Sequence, residues 1–460
     1  MSIAPQIETY LTRLWGSPVS VTDLARIPGG ASRETYRFDA TVDGAVRALI
    51  LRREPAAGLI DTESATEYRA YQSAQGIVPV PAAVALEPDG AELERPFFIM
   101  ERIDGGVVAS AFERDPFGAH GAALGEQFFA ALGRLAAHDP AGTPLVQHLD
   151  APAPGQCWRV VLDYWEGVID ADSFSPQPIV RAAIRRLRAN PPPPAQAVRI
   201  VHGDYRSGNM MHDGAGTMLA MLDWEMAHLG DPLEDLGWAL DPIWTHFVEG
   251  KVGGMCAREQ AIATWEAASG LSVDPAALAW WSLFNSVKGR AIWTSAFREF
   301  VDGGRIDPVL GLSGWYTARR QDAIIAEQLG GDAPSVDSVT GQSELGHILT
   351  GAGLVSAGAG QAAAEHDAFG GATVLVSGLL ALLAAQEAEK AAAWRVADIA
   401  AMRVLLAADA PAIGDDATLP ALDAEWATLS AALIDSARDD HAVLTFYRES
   451  AARRELTWPI

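Results

Sequence analysis

The alternation of apolar and polar positions predicts short strands and one helix in the first part of the chain. Residues 35–42 alternate as a strand does, Asp43-Gly44 supplies a tight turn, and residues 48–52 form the returning strand. Residues 64–75 instead have the period of a helix. The same patterns predict a short amphipathic helix over residues 7–15 and strands over 19–27, 79–86 and 97–101. Residues 1–104 are therefore expected to form a mixed α/β lobe.

Helical patterns dominate the remainder of the chain. Residues 105–345 are rich in Ala, Leu and Trp, and residues 362–460 have the pattern of an alanine-rich bundle. Between them, residues 346–361 are rich in Gly, Ser and Ala, which predicts a linker. The apolar run over 372–385, about fourteen residues, is too short for a bilayer and predicts a core helix. These patterns indicate an α+β protein of several domains.

Composition narrows the classes of function. Apolar residues make up 49% of the 460 residues and charged residues 20%, which is typical of a globular chain. The formal net charge of −25 disfavours binding to nucleic acid or to anionic membranes without a local basic patch. Cys157 and Cys256 lie in no CxxC or Cys/His cluster, which argues against a zinc site or disulfide framework. The first residues lack the pattern of a secretory signal, so we expect a cytoplasmic protein.

Three polar residues in the second region have the spacing of a phosphoryl-transfer site. Asp204 lies five residues before Asn209, and Asp223 follows fourteen residues later. In such sites one carboxylate accepts the proton of the attacking hydroxyl, while an Asn and a second Asp hold the magnesium that bridges the nucleotide phosphates. We therefore predict Asp204 as the catalytic base and Asn209 and Asp223 as the magnesium ligands.

The segment between the two predicted metal ligands has the pattern of a β-hairpin. Apolar runs over 209–212 and 217–222 flank Asp213-Gly214-Ala215-Gly216, which is a Gly-rich turn. Pairing of these runs would place Asn209, at the start of one strand, beside Asp223, at the end of the other. Oxygen ligands that converge in this way suit magnesium.

Nucleotide-binding residues are expected in the first lobe. Arg52 ends a predicted strand, and Glu67 on the next helix is placed to hold it, as in the cation–carboxylate pair of kinases. The Gly-rich turn at 29–32 would let backbone amides approach phosphate oxygens, although it is not a GxGxxG motif. The end of the strand over 97–101 is predicted to be the hinge that pairs with the adenine edge. The candidates in these two segments are Gly30, Ser32, Met100, Glu101 and Arg102.

Other polar residues near the motif have structural and functional interpretations. Arg206 is either a cation that reaches the transferring phosphoryl group or an exposed loop arginine. Glu225 either supports the metal site or pairs with a nearby cation. His202 is predicted to pack beneath the loop and bond to backbone, and Asp231 and Asp235 to stabilise the start of a helix.

With these residues in this order, the chain resembles the aminoglycoside phosphotransferase-like family, a branch of the protein-kinase-like fold. The resemblance spans roughly residues 15–330, and its most specific motifs are His202-Gly203-Asp204 with Asn209, Leu222-Asp223-Trp224-Glu225 and Gly230-Asp231-Pro232. Most similar is the kinase-like domain that precedes some acyl-CoA dehydrogenases, together with stand-alone bacterial relatives. The resemblance implies a two-lobed protein-kinase-like fold with an additional C-terminal all-helical domain. It also implies ATP and Mg²⁺ as cofactors and transfer to a hydroxyl.

Several alternatives stay open from the sequence. Arg52 stands where aminoglycoside kinases carry Lys, so its phosphate contacts have an altered geometry. This departure favours a rival interpretation, a catalytically silent pseudokinase that binds nucleotide or another ligand as a scaffold. The resemblance implies a small-molecule acceptor with a hydroxyl, either hydroxyacyl-CoA-like or aminoglycoside-like. Trp280, Trp281 and Trp293, near Lys288 and Arg290, favour an anionic or acyl acceptor unless they belong to the core. The C-terminal domain is a candidate for homodimer formation, for capping the acceptor cleft or for recruiting a partner.

Overall fold

The computed structural model describes residues 3–27, 33–55, 63–110, 113–302, 307–336, 341–407, 410 and 418–459. The chain divides into two compact units. The first unit comprises Met1–Val161 and Pro192–Asn285, and the second comprises Leu162–Pro191 and Ser286–Ile460. This division differs from the predicted domains, because the first unit combines the predicted N-terminal lobe with a large part of the region that follows it.

The first unit begins with the predicted mixed lobe. Its elements are α1 (Ala4–Trp15), β1 (Val19–Arg26), β2 (Glu34–Val42), β3 (Ala45–Arg53), α2 (Ser64–Ala74), β4 (Ala83–Glu87) and β5 (Phe97–Glu101). The strands form one antiparallel sheet in the order β1-β2-β3-β5-β4, and α2 packs against β4 and β5. Phe38, Leu49, Leu51, Phe97 and Ile99 are fully buried in its core. The period-2 pattern therefore predicted this sheet correctly.

The rest of the first unit carries short strands between helices. Its elements are β6 (Val107–Val108), α3 (Gly121–Ala137), the start of α4 (Cys157–Asp172), β7 (Arg199–Val201), β8 (Met210–His212), β9 (Met218–Met221), β10 (His228–Gly230), α6 (Leu233–Ala239), α7 (Arg258–Ser269) and the start of α8 (Pro275–Asp302). Strands β6, β8 and β9 form one small sheet, and β7 pairs with β10. The two small sheets hold the segments on either side of Asp204.

The second unit is helical in its described residues. Besides the ends of α4 and α8, it contains α5 (Pro178–Ala189), α9 (Pro308–Leu312), α10 (Ala318–Leu329), α11 (Glu344–Ala364), α12 (Ala368–Leu406), α13 (Leu419–Asp435) and α14 (His441–Arg454). Helices α11 and α12 form an antiparallel hairpin in which glycines allow close backbone approach. A Cβ atom on Gly353 would lie 2.8 Å from the Gly378 carbonyl oxygen, and one on Gly378 would lie 2.7 Å from that of Gly353.

The prediction of a linker over residues 346–361 was wrong. These residues lie inside helix α11. Their glycines were interpreted as a source of flexibility, whereas Gly353 and Gly360 are buried against α12, where a side chain would overlap its backbone. Close helix packing, which composition alone does not reveal, is the physical reason for the Gly/Ala content.

Helix α12 is also longer than the apolar run at 372–385 suggested. By length and composition alone, it is the one helix in the described ranges that could cross a membrane. Its most apolar 18-residue window has a mean hydropathy of 2.0, and 33% of that window is buried. The expectation of a core helix therefore holds for only part of this segment.

Candidate active site

Strands β8 and β9 form the hairpin that was predicted between Asn209 and Asp223. The Asn209 carbonyl accepts a hydrogen bond from the Leu222 N–H at 2.9 Å. The Asp213 carboxylate closes the turn by accepting two backbone N–H groups at 2.8 and 2.9 Å. Because Asp223 directly follows the residue bonded to Asn209, the two predicted metal ligands lie side by side at the open end of the hairpin.

The carboxylate of Asp204 is held by three donors. Its Oδ1 accepts a hydrogen bond from Trp238 Nε1 at 2.7 Å. Its Oδ2 accepts hydrogen bonds from Asn209 Nδ2 at 2.7 Å and from Arg206 Nε at 3.1 Å. The Arg206 guanidinium also lies 4.9 Å from the centre of the Trp244 ring. Arg206 is therefore bound to the predicted base and is not a free loop arginine.

The side-chain amide of Asn209 is oriented by Asp204. Its Nδ2 donates both to the Asp204 carboxylate and to the Asp204 carbonyl, the latter at 2.9 Å. Because the amide nitrogen makes both of these bonds, Oδ1 remains as the atom of this side chain that can bind a cation. This orientation agrees with the predicted role of Asn209 as a metal ligand.

The loop that carries Asp204 is anchored by buried hydrogen bonds. The His202 ring is buried; its Nδ1 accepts from the Asp204 N–H at 3.1 Å, and its Nε2 donates to the Leu222 carbonyl at 2.9 Å. The Asp235 carboxylate accepts from the N–H groups of His202 and Gly203 at 2.6 and 3.0 Å. His202 thus has the predicted structural role. Asp235 stabilises the loop in addition to lying in the first turn of α6.

Gly203 is the residue of this loop that tolerates a side chain least. Its φ is +83°, and a Cβ atom would lie 2.8 Å from Met226 Cβ and would overlap the Met226 carbonyl oxygen. We expect Gly203→Ala to lower the free energy of unfolding by about 3 kcal/mol, since left-handed backbone and overpacking each cost about 1–3 kcal/mol. Gly142→Ala is the matched control, because Gly142 has a φ of +81° with nothing within 4 Å. Equal losses in urea denaturation would contradict the steric argument.

Arg52 and Glu67 form the predicted pair, and both side chains are buried. Arg52 Nη1 lies 3.0 Å from Glu67 Oε1, and Arg52 Nη2 donates to Asp223 Oδ1 at 2.6 Å. Tyr71, one turn after Glu67 on α2, accepts a hydrogen bond from the Asp223 N–H at 3.0 Å. Arg52, which was predicted to bind the nucleotide phosphates, therefore contacts the carboxylate of Asp223, which was predicted to bind the metal.

The charges of this cluster affect one another strongly. Burial opposes the charge of Arg52, but the carboxylates of Glu67 and Asp223 raise its pKa above the usual value. Burial also opposes ionisation of Asp223, and Arg52 nevertheless lowers its pKa. For Glu225, burial and then the charges of Asp223 and Glu67 raise the pKa to about 8. Glu225 lies 3.9 Å from both Arg52 and Arg33, so it pairs loosely with these two cations.

The residues present fit a magnesium ion at Asn209 and Asp223. Three carboxylates face two arginines in the buried cluster, and Glu225 Oε2 makes no hydrogen bond to the described residues. An additional cation at Asp223 would favour the ionised form of Glu225, whose pKa burial and the neighbouring carboxylates now raise. In the described ranges, no three His, Cys, Asp or Glu side chains could hold a metal by themselves. Magnesium does not require such a cluster, because it is commonly bound by one or two carboxylates, waters and substrate phosphates.

The other predicted nucleotide contacts have mixed outcomes. Gly30 and Ser32 lie outside the described residues. Met100 and Glu101 end strand β5, as predicted. However, the N–H groups of Glu101 and Arg102 each donate to a carbonyl of a neighbouring segment at 2.9 Å. These two N–H groups are therefore already used within the lobe. The pairing of Met100, Glu101 and Arg102 with an adenine edge stays a prediction.

Two residues of the site were missed in the sequence. Trp238 lies three residues after Asp235, so the helical period of α6 places both on the side that faces the Asp204 loop. That spacing was a usable signal. Arg33, whose Nε lies 3.5 Å from Glu67 Oε2, has no such signal because the contact is tertiary.

Two of the three tryptophans that were considered for the acceptor, Trp280 and Trp281, belong to the core. Trp280 and Trp281 are buried and pack against Phe284. Arg290 is paired with Asp322 at 2.9 Å. These residues therefore give no indication of the acceptor's chemistry.

Asp231 gives the fold a specific pH dependence. Its carboxylate accepts hydrogen bonds from the Leu233 N–H at 3.0 Å and from Trp281 Nε1 at 3.2 Å. Burial raises its pKa to about 6, and the two hydrogen bonds only partly oppose this. Because the pKa of Asp231 is higher in the folded chain than in the unfolded chain, its protonated form stabilises the fold. This stabilisation is complete below about pH 4 and is lost as the pH rises through 6.

We therefore expect Asp231→Asn to gain stability relative to wild type as the pH rises from 4 to 7. The gain should be about 3 kcal/mol, since two pKa units correspond to that free energy. Urea denaturation at several pH values measures it. Asp274→Asn, which changes an exposed helix cap, is the control. A constant difference between Asp231→Asn and wild type across this range would contradict the prediction.

The profile of APH, the phosphotransferase enzyme family, matches residues 23–281. The chain belongs to this family. The match includes Arg52, Glu67, Asp204, Asn209 and Asp223, and so contains the whole site described above. APH membership confirms the resemblance that the motifs indicated.

Two curated relatives of this APH chain are acyl-CoA dehydrogenase family members. Family member 11 of Gallus gallus is 25% identical over 242 residues, and family member 10 of Mus musculus is 27% identical over 240 residues. Each match covers 51% of this chain but only 30% and 22% of the respective relative. The matched region therefore spans less than a third of the length of those relatives.

A solved structure confirms the fold of the APH chain. A provisionally assigned aminoglycoside phosphotransferase from Ralstonia eutropha superposes with a TM-score of 0.55 at 21% identity. The match covers 70% of this chain and 97% of that chain. The fold is therefore the protein-kinase-like phosphotransferase fold with an additional helical region at its C-terminal side, as predicted.

Proposed function

We propose that this chain catalyses ATP- and Mg²⁺-dependent phosphorylation of a hydroxyl on a small molecule. The observation that carries the proposal is the joint arrangement of Asp204, Asn209 and Asp223 on one anchored loop and one hairpin. Family membership supports phosphoryl transfer in general. The nucleotide, the metal and the acceptor are the specific parts of this proposal.

Each residue of the site has a defined task in this proposal. Asp204 accepts the proton of the acceptor hydroxyl, and its hydrogen bonds to Trp238 and Asn209 fix the direction of its carboxylate. Asn209 and Asp223 hold magnesium, which when bound neutralises charge on the nucleotide phosphates. Arg52, held by Glu67, contacts the phosphates, and Arg206 lies beside the base where charge develops.

The proposal includes two classes of acceptor. The curated relatives are named as acyl-CoA dehydrogenase family members, which supports a hydroxyacyl-CoA-like acceptor. The neighbouring structure from Ralstonia eutropha is assigned to the aminoglycoside phosphotransferases, which supports an aminoglycoside-like acceptor. We place this chemistry in the cytoplasm, in line with the expectation from the sequence.

One contact favours a second candidate function. Arg52 donates to Asp223 Oδ1, so in this arrangement a cation of the chain itself occupies one oxygen of a predicted metal ligand. A pseudokinase that binds nucleotide without turnover would retain this contact. The two candidates differ in whether magnesium displaces Arg52 from that oxygen.

A coupled assay of ADP release tests the proposal. The panel comprises hydroxyacyl-CoAs, aminoglycosides, macrolides and amino alcohols, with Asp204→Ala as the control. We expect at least one acceptor to stimulate ADP release by the wild type and not by Asp204→Ala. Binding of Mg·ATP without stimulation by any acceptor would support the pseudokinase, and full ADP release by a folded Asp204→Ala would contradict the mechanism.

A further inference from the structure

The outer face of helix α11 carries a regular apolar repeat. Its members, which we call the outer seam, alternate at spacings of three and four residues, and all are exposed: Leu345, Ile348, Ala352, Val355, Ala359 and Ala362. The larger ones are well exposed, Ile348 by 62% and Val355 by 74%. Leu354, which is 60% exposed, lies next to Val355 and widens this apolar face. An exposed apolar repeat at these spacings is typical of the contact surface of paired helices.

The outer seam is separate from the face that α11 uses within its own chain. Gly346, Gly353 and Gly360 are the buried residues of α11, and they face α12. A Cβ atom on Gly360 would lie 2.7 Å from the Gly371 carbonyl oxygen, so α12 already fills the space on this side. One face of helix α11 thus packs against α12, and a second, apolar face is not covered by the described residues.

The charge distribution around the outer seam points to its occupant. Residues 345–364 contain no Asp, Glu, Lys or Arg, and neither do residues 368–386 of α12. The chain as a whole carries a formal charge of −25, so two copies repel each other over most of their surfaces. The hairpin is a surface on which two copies can meet without bringing carboxylates together, and a basic partner would find no charge complement there.

We propose that the outer seam is a self-association surface, on which α11 of one chain packs against α11 of a second copy. The small side chains of Ala352, Ala359 and Ala362 permit close approach of the two helices, and Leu345, Ile348 and Val355 supply the apolar contact. A two-fold interface uses the same patch on both copies. Val355 lies near the middle of Glu344–Ala364, so it meets the corresponding residue of the second copy in either relative direction of the helices. This inference does not depend on the proposed phosphotransfer.

Sedimentation velocity of the full chain over a range of concentrations tests the proposal. We expect the wild type to form a dimer and Val355→Asp to raise the dissociation constant by roughly a hundred-fold or more, since it places like charges together in an apolar contact. Val404→Asp is the matched control, because Val404 is 78% exposed on α12 and lies outside the seam. We expect it to leave the dissociation constant unchanged. A monomeric wild type at all concentrations, or equal effects of the two variants, would overturn the proposal.

Two further measurements separate pairing of copies from other causes. An equimolar mixture of Val355→Asp and Val355→Lys should recover the dimer, because opposite charges then meet at the two-fold axis, whereas a misfolded variant would not recover. Flotation with neutral phosphatidylcholine vesicles tests a bilayer as the alternative occupant. Flotation of a monomeric wild type that Val355→Asp abolishes would assign the seam to a lipid surface and reject the dimer.

Discussion

Asp204→Asn is expected to lower the turnover of acceptor-dependent ADP release by roughly a hundred- to ten-thousand-fold, the usual contribution of a general base. An asparagine cannot take the proton of the acceptor hydroxyl. Its amide nitrogen would also face a donor in either orientation, Trp238 Nε1 on one side or Arg206 and Asn209 on the other. The loop should stay folded, because His202 and Asp235 anchor it through backbone groups that the substitution leaves unchanged.

The measurement is a steady-state comparison of wild type, Asp204→Asn and a surface control. Asp150→Asn makes the same chemical change at an exposed position and should keep wild-type turnover. Thermal unfolding of each variant shows whether the fold is retained. A folded Asp204→Asn enzyme with turnover close to that of the wild type would exclude Asp204 as the base.

Glu67→Ala is expected to lower the free energy of unfolding by about 3–5 kcal/mol, which is typical when one partner of a buried ion pair is removed. Glu67 is fully buried between Arg52, at 3.0 Å, and Arg33, at 3.5 Å. Without it, two buried guanidinium groups lose a carboxylate, and Asp223 compensates only Arg52. The same variant should weaken nucleotide binding, because Arg52 loses the contact that positions it.

Glu101→Gln is the control for this comparison. Glu101 pairs with Arg47 at 3.3 Å, but its side chain is 53% exposed. Exposed ion pairs contribute about 0–1 kcal/mol, so urea denaturation should separate the two variants by several kcal/mol. Equal losses of stability in Glu67→Ala and Glu101→Gln would show that the buried ion pairs of Glu67 stabilise the fold no more than an exposed pair does.

The hairpin and the metal ligands were predictable because their signals are local. Turn chemistry at Asp213–Gly216 and the flanking apolar runs determine the pairing, and that pairing places Asn209 beside Asp223. The Arg52–Glu67 pair followed from the order of a strand and a helix. In each case a short segment of sequence carries enough information to bring two side chains together.

The features that were missed depend on contacts between distant segments. Arg33 lies just before β2 and contacts Glu67 on α2, and no period in the sequence marks this contact. The hinge donors of Glu101 and Arg102 are used by neighbouring segments whose pairing was not considered. The glycines of α11 have the composition of a linker, and only the packing of α12 against them shows that they belong to a helix.

The most direct test of the account is whether magnesium and ATP bind together at Asn209 and Asp223. Thermal unfolding of wild type and Asp223→Asn is measured with ATP in excess magnesium and with ATP in excess chelator. A ligand at a hundred times its dissociation constant stabilises a protein by about 2.7 kcal/mol. We predict a rise in the melting temperature of the wild type with Mg·ATP, a much smaller rise in chelator, and no difference between the two conditions for Asp223→Asn. A wild type that responds equally with and without magnesium, or an Asp223→Asn variant that keeps the magnesium-dependent rise, would contradict the assignment of this site.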